Sequence, residues 1–257
     1  MKYLNVAGNQ LWSYEWANNG EPVLLLHGGL SETDSYASVM VEPLQTGFHL
    51  YAYDRAGHGY SADVPGSFYF NFQRDEAIAF ISEVIKQPVH LVGYSDGANI
   101  ALMVAIARPD LVKSIVAIAG NFQPTGLVEL PSFDPANISN EDRVEYANMS
   151  PDAPETLELK IAKMHEIWKV EPDLAKAELA SIKCSVLVMA GDDDVVKHSH
   201  SIELFESLPL GQLAIVPGTS HGLVKEKPAV VTALIKDFLS DQSYPVTRQP
   251  MRRVNPA

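Results

Sequence analysis

Ser95 lies between two glycines in the stretch GYSDG at 93–97. The apolar run at 88–92 is typical of a buried strand, and residues 98–107 (ANIALMVAIA) are apolar enough for a buried helix. A serine on a sharp strand-to-helix turn is held in a strained backbone conformation that exposes its hydroxyl. Glycines beside it avoid collisions of a Cβ with the neighbouring strand and helix. The stretch therefore predicts a nucleophilic serine, provided that the chain also supplies its partners.

Those partners are a base and a carboxylate, because a serine hydroxyl is a weak nucleophile at neutral pH. A strand-like run at 184–190 (CSVLVMA) leads into Asp192, Asp193 and Asp194. A second run at 212–216 leads into His221. The sequence thus offers His221 as the base and three neighbouring aspartates as the acid, two of which would be residues of a solvated acidic turn.

Five segments in this order resemble the α/β-hydrolase superfamily over about residues 23–239. They are LLLHGG at 24–29, YDRAGHGYS at 53–61, GYSDGA at 93–98, AGDDDVV at 190–196 and PGTSHGLVKEKP at 217–228. The resemblance implies an α/β fold with a mostly parallel central sheet flanked by helices, and a small helical cap inserted after strand 6. It also implies a catalytic Ser95, a catalytic His221 and, three residues after the glycine at 191, Asp194 as the acid.

The resemblance further implies an oxyanion hole made of backbone N–H groups. One is that of Asp96, which follows the nucleophile at the start of a helix, where the dipole also favours negative charge. The other is assigned to Gly29, with Leu30 as an alternative that depends on how the loop turns. His27 is expected to be structural.

The carboxylate of Asp96 is a separate question. Serine-aspartate-glycine elbows occur in relatives of valacyclovir hydrolase, where the aspartate is associated with recognition of a substrate amino group. The alternative is that an acidic residue is simply favourable in the first turn of a helix.

The chain has eight histidines, and a hydrolase of this type needs one. We expect His58 to pack a loop. His198 and His200 have the spacing of two metal ligands, but no further ligands follow at a suitable interval, so we expect solvation at a helix start, no metal and no cofactor. His165 lies on a predicted helix and faces either solvent or a pocket.

Alternating strand and helix patterns predict a parallel sheet. Strands are expected at 23–26, 49–53, 89–92, 115–119, 186–189 and 213–216, helices at 75–85 and 229–239, and a strand pair around a turn at 7–9.

Residues 122–183 interrupt this rhythm and are expected to form the helical cap within a single domain spanning 1–257. A helix starting near residue 154 would carry an apolar stripe of Leu157, Ile161, Met164 and Trp168. This stripe packs the cap onto the core, and part of it could line an acyl pocket. We place Leu30, Met164 and Trp168 in the substrate pocket. Residues 242–257 are expected to be a tail.

Composition sets further bounds. The 257 residues are 46% hydrophobic and 20% charged, as in one globular domain. A net charge of −13 argues against nucleic-acid binding, and Cys184 alone can form no intrachain disulfide. Without a signal-peptide pattern or an apolar run of transmembrane length, we expect a cytoplasmic monomer or small homo-oligomer that does not bind membranes.

The expected function is cleavage of a small carboxylic ester through an acyl-enzyme. A lactone or enol-lactone hydrolase is a close alternative, and carbon–carbon bond hydrolysis or perhydrolysis could use the same residues. Epoxide hydrolases and dehalogenases are disfavoured because they place a carboxylate where Ser95 stands. A ligand-binding receptor with little turnover is the alternative from another class.

Overall fold

The computed structural model describes residues 1–129 and 131–243, which contain a sheet of eight strands. The strands are β1 (Lys2–Val6), β2 (Asn9–Trp16), β3 (Glu21–Leu26), β4 (Phe48–Tyr53), β5 (Val89–Tyr94), β6 (Val112–Ile118), β7 (Ser185–Asp193) and β8 (Gly211–Ser220). Their spatial order is β1-β2-β4-β3-β5-β6-β7-β8. Strand β2 pairs antiparallel with β1 and β4, and the strands from β4 to β8 are parallel.

Helices cover both faces of the sheet because its central strands are apolar on both sides. In β3, Leu24 and Leu26 belong to one buried cluster, whereas Val23 and Leu25 belong to the other. The helices are α1 (Thr33–Leu44), α2 (Phe70–Phe80), α3 (Asp96–Ala107), α4 (Asn140–Met149), α5 (Leu157–Trp168), α6 (Lys176–Leu179), α7 (His198–Ser207), α8 (Leu223–Glu226) and α9 (Pro228–Ser240). Helices α2, α3 and α7 pack on the first face, and α1, α8 and α9 on the second.

The predicted strands and the turn at 7–9 are present, whereas the predicted helix at 75–85 differs in extent. Helix α2 begins at Phe70, whose backbone N–H donates to the Glu171 carboxylate at 2.9 Å. The helix continues into a wider π-helical turn at Ile81–Ile85. The early start depends on a contact between residues 101 positions apart, which local periodicity does not encode.

Residues 122–183 connect β6 to β7 and contain α4, α5 and α6. Helix α5 follows a short 3-10 turn at Pro154–Thr156 and buries Lys160, Met164 and Ile167. No residue of α4 is buried. This segment therefore rests on the sheet domain mainly through α5, while α4 is the more exposed part.

None of the helices within residues 1–129 and 131–243 has both the length and the apolar character needed to span a membrane. The predicted tail at 242–257 lies, from residue 244 onward, outside the described residues.

Candidate active site

Ser95 occupies the turn between β5 and α3 with φ 54° and ψ −120°, a left-handed conformation rarely adopted by a residue with a side chain. Its backbone N–H donates to the Ile118 carbonyl at 2.8 Å, which fixes the turn against β6. A Cβ on Gly93 would lie 2.2 Å from the Gly97 carbonyl oxygen, and one on Gly97 would lie 2.1 Å from the Leu26 carbonyl oxygen. The flanking glycines therefore permit the close approach that presents the serine.

His221 lies between Ser95 and Asp194. Its Nε2 is 3.1 Å from Ser95 Oγ, and its Nδ1 is 2.7 Å from Asp194 Oδ1. Since an ionised carboxylate only accepts hydrogen bonds, Nδ1 carries the proton and Nε2 is the acceptor for the serine hydroxyl. This is the geometry in which an imidazole can remove a hydroxyl proton.

Several hydrogen bonds hold the carboxylate of Asp194 in place. Burial alone would raise its pKa, but hydrogen bonds from the His221 ring and from two backbone N–H groups hold the pKa below its ordinary value. Asp192 and Asp193 are exposed, and Asp192 accepts the Thr219 N–H at 2.9 Å. Of the three aspartates, the structure brings Asp194 to the histidine.

The three side chains meet because each follows the carboxyl end of a strand. Ser95 follows β5, Asp194 follows β7 and His221 follows β8, so all three lie at one edge of the parallel sheet. The Tyr94 hydroxyl donates to the backbone carbonyl of His221 at 3.0 Å, which ties the histidine loop to the nucleophile turn.

The loop after β3 lies against this turn. A Cβ on Gly28 would be 3.3 Å from the Ser95 Cβ, and the next loop residues are Gly29 and Leu30, the latter with φ 51°. Asp96 is the first residue of α3, where backbone N–H groups lack intrahelical acceptors.

Arg55 fixes the loop after β3 through hydrogen bonds to its backbone. Its buried guanidinium donates to the His27 carbonyl and, at 2.8 Å, to the Gly28 carbonyl. The His27 ring accepts the backbone N–H of Arg55 at 3.1 Å, and burial keeps the pKa of the ring well below its ordinary value, so the ring is neutral. His27 is thus structural, and Arg55 is a site residue whose role the sequence analysis did not assign.

The family model described as the alpha/beta hydrolase family matches residues 23–234. The chain belongs to the alpha/beta hydrolase family. The fold expected from the sequence, a mostly parallel sheet flanked by helices, is confirmed.

Relatives of this chain carry different functional descriptions. A putative carbamate hydrolase RutD of Caulobacter sp. is 24% identical over 245 residues, covering 86% of this chain and 91% of the relative. Serine hydrolase BPHL of Mus musculus is 25% identical over 255 residues, covering 88% of this chain and 82% of the relative. The solved enol-lactonase from Burkholderia xenovorans superposes with a TM-score of 0.73 at 17% identity, covering 93% of this chain and all of that one.

A cavity of about 430 Å³ lies between the 122–183 segment and the sheet domain. Leu30 lines it on the sheet side, and α4 and α5 line it on the other. Its wall includes the carboxylates Glu32, Asp134, Asp142 and Glu145 and the rings of His58, Phe133, Tyr146 and His165. Ser95 and His221 are not among its lining residues, and Leu30 connects the cavity to the loop whose Gly28 approaches Ser95.

The three residues placed in the substrate pocket have different environments. Leu30 lines the 430 Å³ cavity. Met164 is fully buried in the core cluster and does not line the cavity, so it anchors α5 instead. Trp168 lines a separate groove of about 990 Å³, and its indole N–H bonds to Asp96. His165 and Phe133 line both spaces, which places His165 toward the pockets.

Two further histidines, His58 and His200, are packing residues. His58 is buried and donates from Nδ1 to the Ala56 carbonyl at 3.2 Å, although its ring also borders the cavity. The prediction that His200 is solvated is wrong: it is buried, stacks on Phe122 at 4.1 Å and accepts the Phe122 N–H. In the described part of the chain, no group of three or more His, Cys, Asp or Glu residues could hold a metal ion.

Lys160 was also missed by the sequence analysis. Its ammonium is buried under the cavity, donating to the Gly57 carbonyl at 3.2 Å and to Asp152 at 2.6 Å. It thereby joins α5 to the loop after β4. The only sequence signal would have been a lysine next to the apolar stripe of α5, which is common on helix surfaces.

Proposed function

We propose that this hydrolase cleaves small carboxylic esters through an acyl-enzyme formed on Ser95. His221 removes the hydroxyl proton of Ser95 as the oxygen attacks the ester carbonyl, and then donates that proton to the departing alcohol. In the second half-reaction His221 activates water, which releases the acid and restores the serine. Asp194 orients the ring and stabilises its protonated form.

The observation that carries this proposal is the hydrogen-bonded series Ser95 Oγ, His221 and Asp194, with separations of 3.1 and 2.7 Å. The N–H groups of Asp96 and Gly29 are proposed to bind the oxyanion, since they belong to the two backbone segments that meet beside Ser95. No resident cofactor is required for this chemistry.

The adjacent spaces support a substrate of modest size. The 430 Å³ cavity is within the range of pockets for small organic ligands, and Leu30 links it to the proposed oxyanion loop. We propose that residues 122–183 act as a cap over this chamber and that the chain works in the cytoplasm as a monomer or small homo-oligomer.

An enol-lactone hydrolase is the second candidate. A lactone is an internal ester, so the same attack opens its ring, and a solved enol-lactonase shares the fold. Carbamates are tested alongside esters and lactones because one relative is described as a putative carbamate hydrolase.

The proposal is tested with wild type and Ser95→Ala, using p-nitrophenyl acetate, butyrate and octanoate, an enol lactone and an aryl carbamate. We expect steady-state turnover of the short esters and a loss of about 10⁶ in kcat for Ser95→Ala. A fluorophosphonate probe should add one phosphonyl group to wild type, located at Ser95 by peptide mass spectrometry, and none to the alanine variant.

Each alternative gives a different result. Faster turnover of the enol lactone than of every ester would assign the second candidate. A single stoichiometric burst without further turnover would indicate a receptor that uses the hydrolase pocket. If wild type neither turns over a substrate nor reacts with the probe, the proposal is wrong; equal activity of both proteins would mean that Ser95 is not the nucleophile.

A further inference from the structure

Trp168, the last residue of α5, reaches across to the nucleophile turn. Its indole Nε1–H lies 3.1 Å from both carboxylate oxygens of Asp96, the residue directly after Ser95. The two residues are 72 positions apart, so this bond joins the proposed cap to the first turn of α3. It is a direct polar link between a cap residue and the neighbour of the proposed nucleophile.

The same contact includes the proposed oxyanion loop. A Cβ on Gly29 would lie 2.1 Å from Asp96 Oδ2 and 2.8 Å from Trp168 Cζ2. The carboxylate and the indole therefore lie directly on the Gly29 backbone. Arg55 also holds this loop through the carbonyls of His27 and Gly28. The loop is thus fixed by two sets of contacts, and its position relative to the Asp96 N–H depends on both.

The Asp96 carboxylate is in an unusual environment. Only 4% of the residue is exposed, and burial raises the pKa of its carboxyl above the ordinary value. The charge of Arg55 and the Trp168 N–H act in the opposite direction, because each favours the ionised form. A buried carboxylate is costly without donors, so the indole N–H holds this side chain in place.

We infer that Trp168 is a positioning residue, which through the Asp96 carboxylate fixes the distance between the backbone N–H groups of Asp96 and Gly29. This inference rests on the proposed function, since those two N–H groups are the proposed oxyanion donors. An oxyanion hole stabilises the transition state only if its donors are held in place before the reaction. The cap would then contribute to catalysis as well as to substrate binding.

A purely structural role is the competing explanation, because the Trp168 ring also borders the 990 Å³ groove and packs against the His165 ring, with the two ring centroids 5.3 Å apart. Trp168→Phe separates the two explanations, since it keeps an aromatic ring and removes the N–H. Trp16→Phe is the matched control: Trp16 is on β2, where its ring stacks on Tyr14 at 5.7 Å.

The experiment measures kcat and KM for a p-nitrophenyl ester and the rate of fluorophosphonate labelling. We expect Trp168→Phe to lower kcat and the labelling rate by about 10- to 100-fold with KM within about threefold, less than the 10²–10³ lost when an oxyanion donor is removed outright. Trp16→Phe should match wild type. An increase in KM with unchanged kcat would show that Trp168 only forms a wall, and would overturn the inference.

The pH profile of kcat/KM adds a readout that packing would not change. Loss of the N–H removes a donor to the ionised carboxylate and so raises the pKa of Asp96, and the Asp96-dependent limb, identified as the one missing in Asp96→Asn, should move to higher pH in Trp168→Phe. Asp96→Asn should lack this limb, while Arg55, His165 and His221 remain in both variants. Coincident profiles for wild type and Trp168→Phe would overturn the inference.

The two proposals fail in distinguishable ways. If wild type is labelled at Ser95 and Trp168→Phe is labelled equally fast, the inference fails and the proposed function stands. If wild type is not labelled and does not turn over, the proposed function fails and the inference falls with it.

Discussion

The position of a single carboxylate decides which of three aspartates can act with His221. Asp194 is one of three consecutive aspartates, and only its carboxylate reaches His221. An amide in its place would hydrogen-bond differently with the ring, and the tautomer that accepts the serine proton would no longer be favoured.

We therefore predict that Asp194→Asn lowers kcat by about 10⁴, as expected for loss of the carboxylate that orients a catalytic histidine. Steady-state kinetics on p-nitrophenyl esters measures this. Asp192→Asn is the control and should stay within about threefold, because Asp192 is exposed and accepts the Thr219 N–H of β8 rather than bonding to His221. Activity of Asp194→Asn within tenfold of wild type would assign the acid to a neighbour.

Gly29 carries the second prediction at this scale. Gly29→Ala should lower kcat at least 100-fold while the protein stays folded, since the new methyl group would overlap the Asp96 carboxylate and displace the loop. Gly47→Ala is the control, because a Cβ there would have no heavy atom within 4 Å. Kinetics and thermal melting of both variants measure the effect, and a fully active Gly29→Ala would refute the close contact at Gly29.

At the scale of elements, α5 is the connection between the 122–183 segment and the sheet domain. It contributes Met164 to the core, Lys160 to the loop after β4 and Trp168 to the nucleophile turn. Helix α4 has no buried residue and borders the cavity from outside. This arrangement favours local opening of α4 while α5 stays in place.

Lys160→Met should loosen this segment selectively, because it removes two hydrogen bonds of a buried ammonium and leaves Asp152 without its cation. Hydrogen bonds to charged groups contribute about 1.5–3 kcal/mol, so amide exchange in α4 and α5 should accelerate at least tenfold. Exchange in β5 and β6 should stay unchanged. Lys169→Met, which breaks an exposed pair with Glu166, is the control. Equal effects of the two substitutions would contradict this role for Lys160.

The elements also show what the sequence can and cannot predict. Strands β3 to β8 and the order of the site motifs are local patterns, so both were predicted from the sequence. The bonds of Trp168 to Asp96 and of Lys160 to Gly57 join residues 72 and 103 positions apart, and no local pattern encodes such pairs. His200 was misjudged for the same reason, since its burial depends on Phe122.

At the scale of the whole molecule, buried ionisable groups determine how stability depends on pH. Burial raises the pKa of Glu76 to about 8, so its contribution to stability is present below about pH 4.5 and is lost as the pH rises through about 8. Burial lowers the pKa values of His27, His58 and His200, so their contributions are present above about pH 6.5 and are lost as the pH falls.

We predict maximal stability between about pH 6 and 7, measured by urea unfolding from pH 5 to 9. Burial raises the pKa of Asp54 to about 6, so its contribution to stability decreases as the pH rises toward 6. This decrease opposes the increase in stability from the three histidines, but it is one group against three. Glu76→Gln should remove the decline above pH 7. Glu83→Gln is the control, because Glu83 is exposed and, like Glu76, accepts a backbone N–H. A decline that persists in Glu76→Gln would contradict this assignment.

The backbone of Ser95, with φ 54° and ψ −120°, has a consequence for laboratory evolution. Glycine adopts this conformation without the steric cost that any other residue incurs there, about 1–3 kcal/mol. Ser95→Gly should therefore melt at a higher temperature than wild type while losing turnover. A library selected for heat resistance alone would enrich this substitution, so such a selection needs a simultaneous screen for activity.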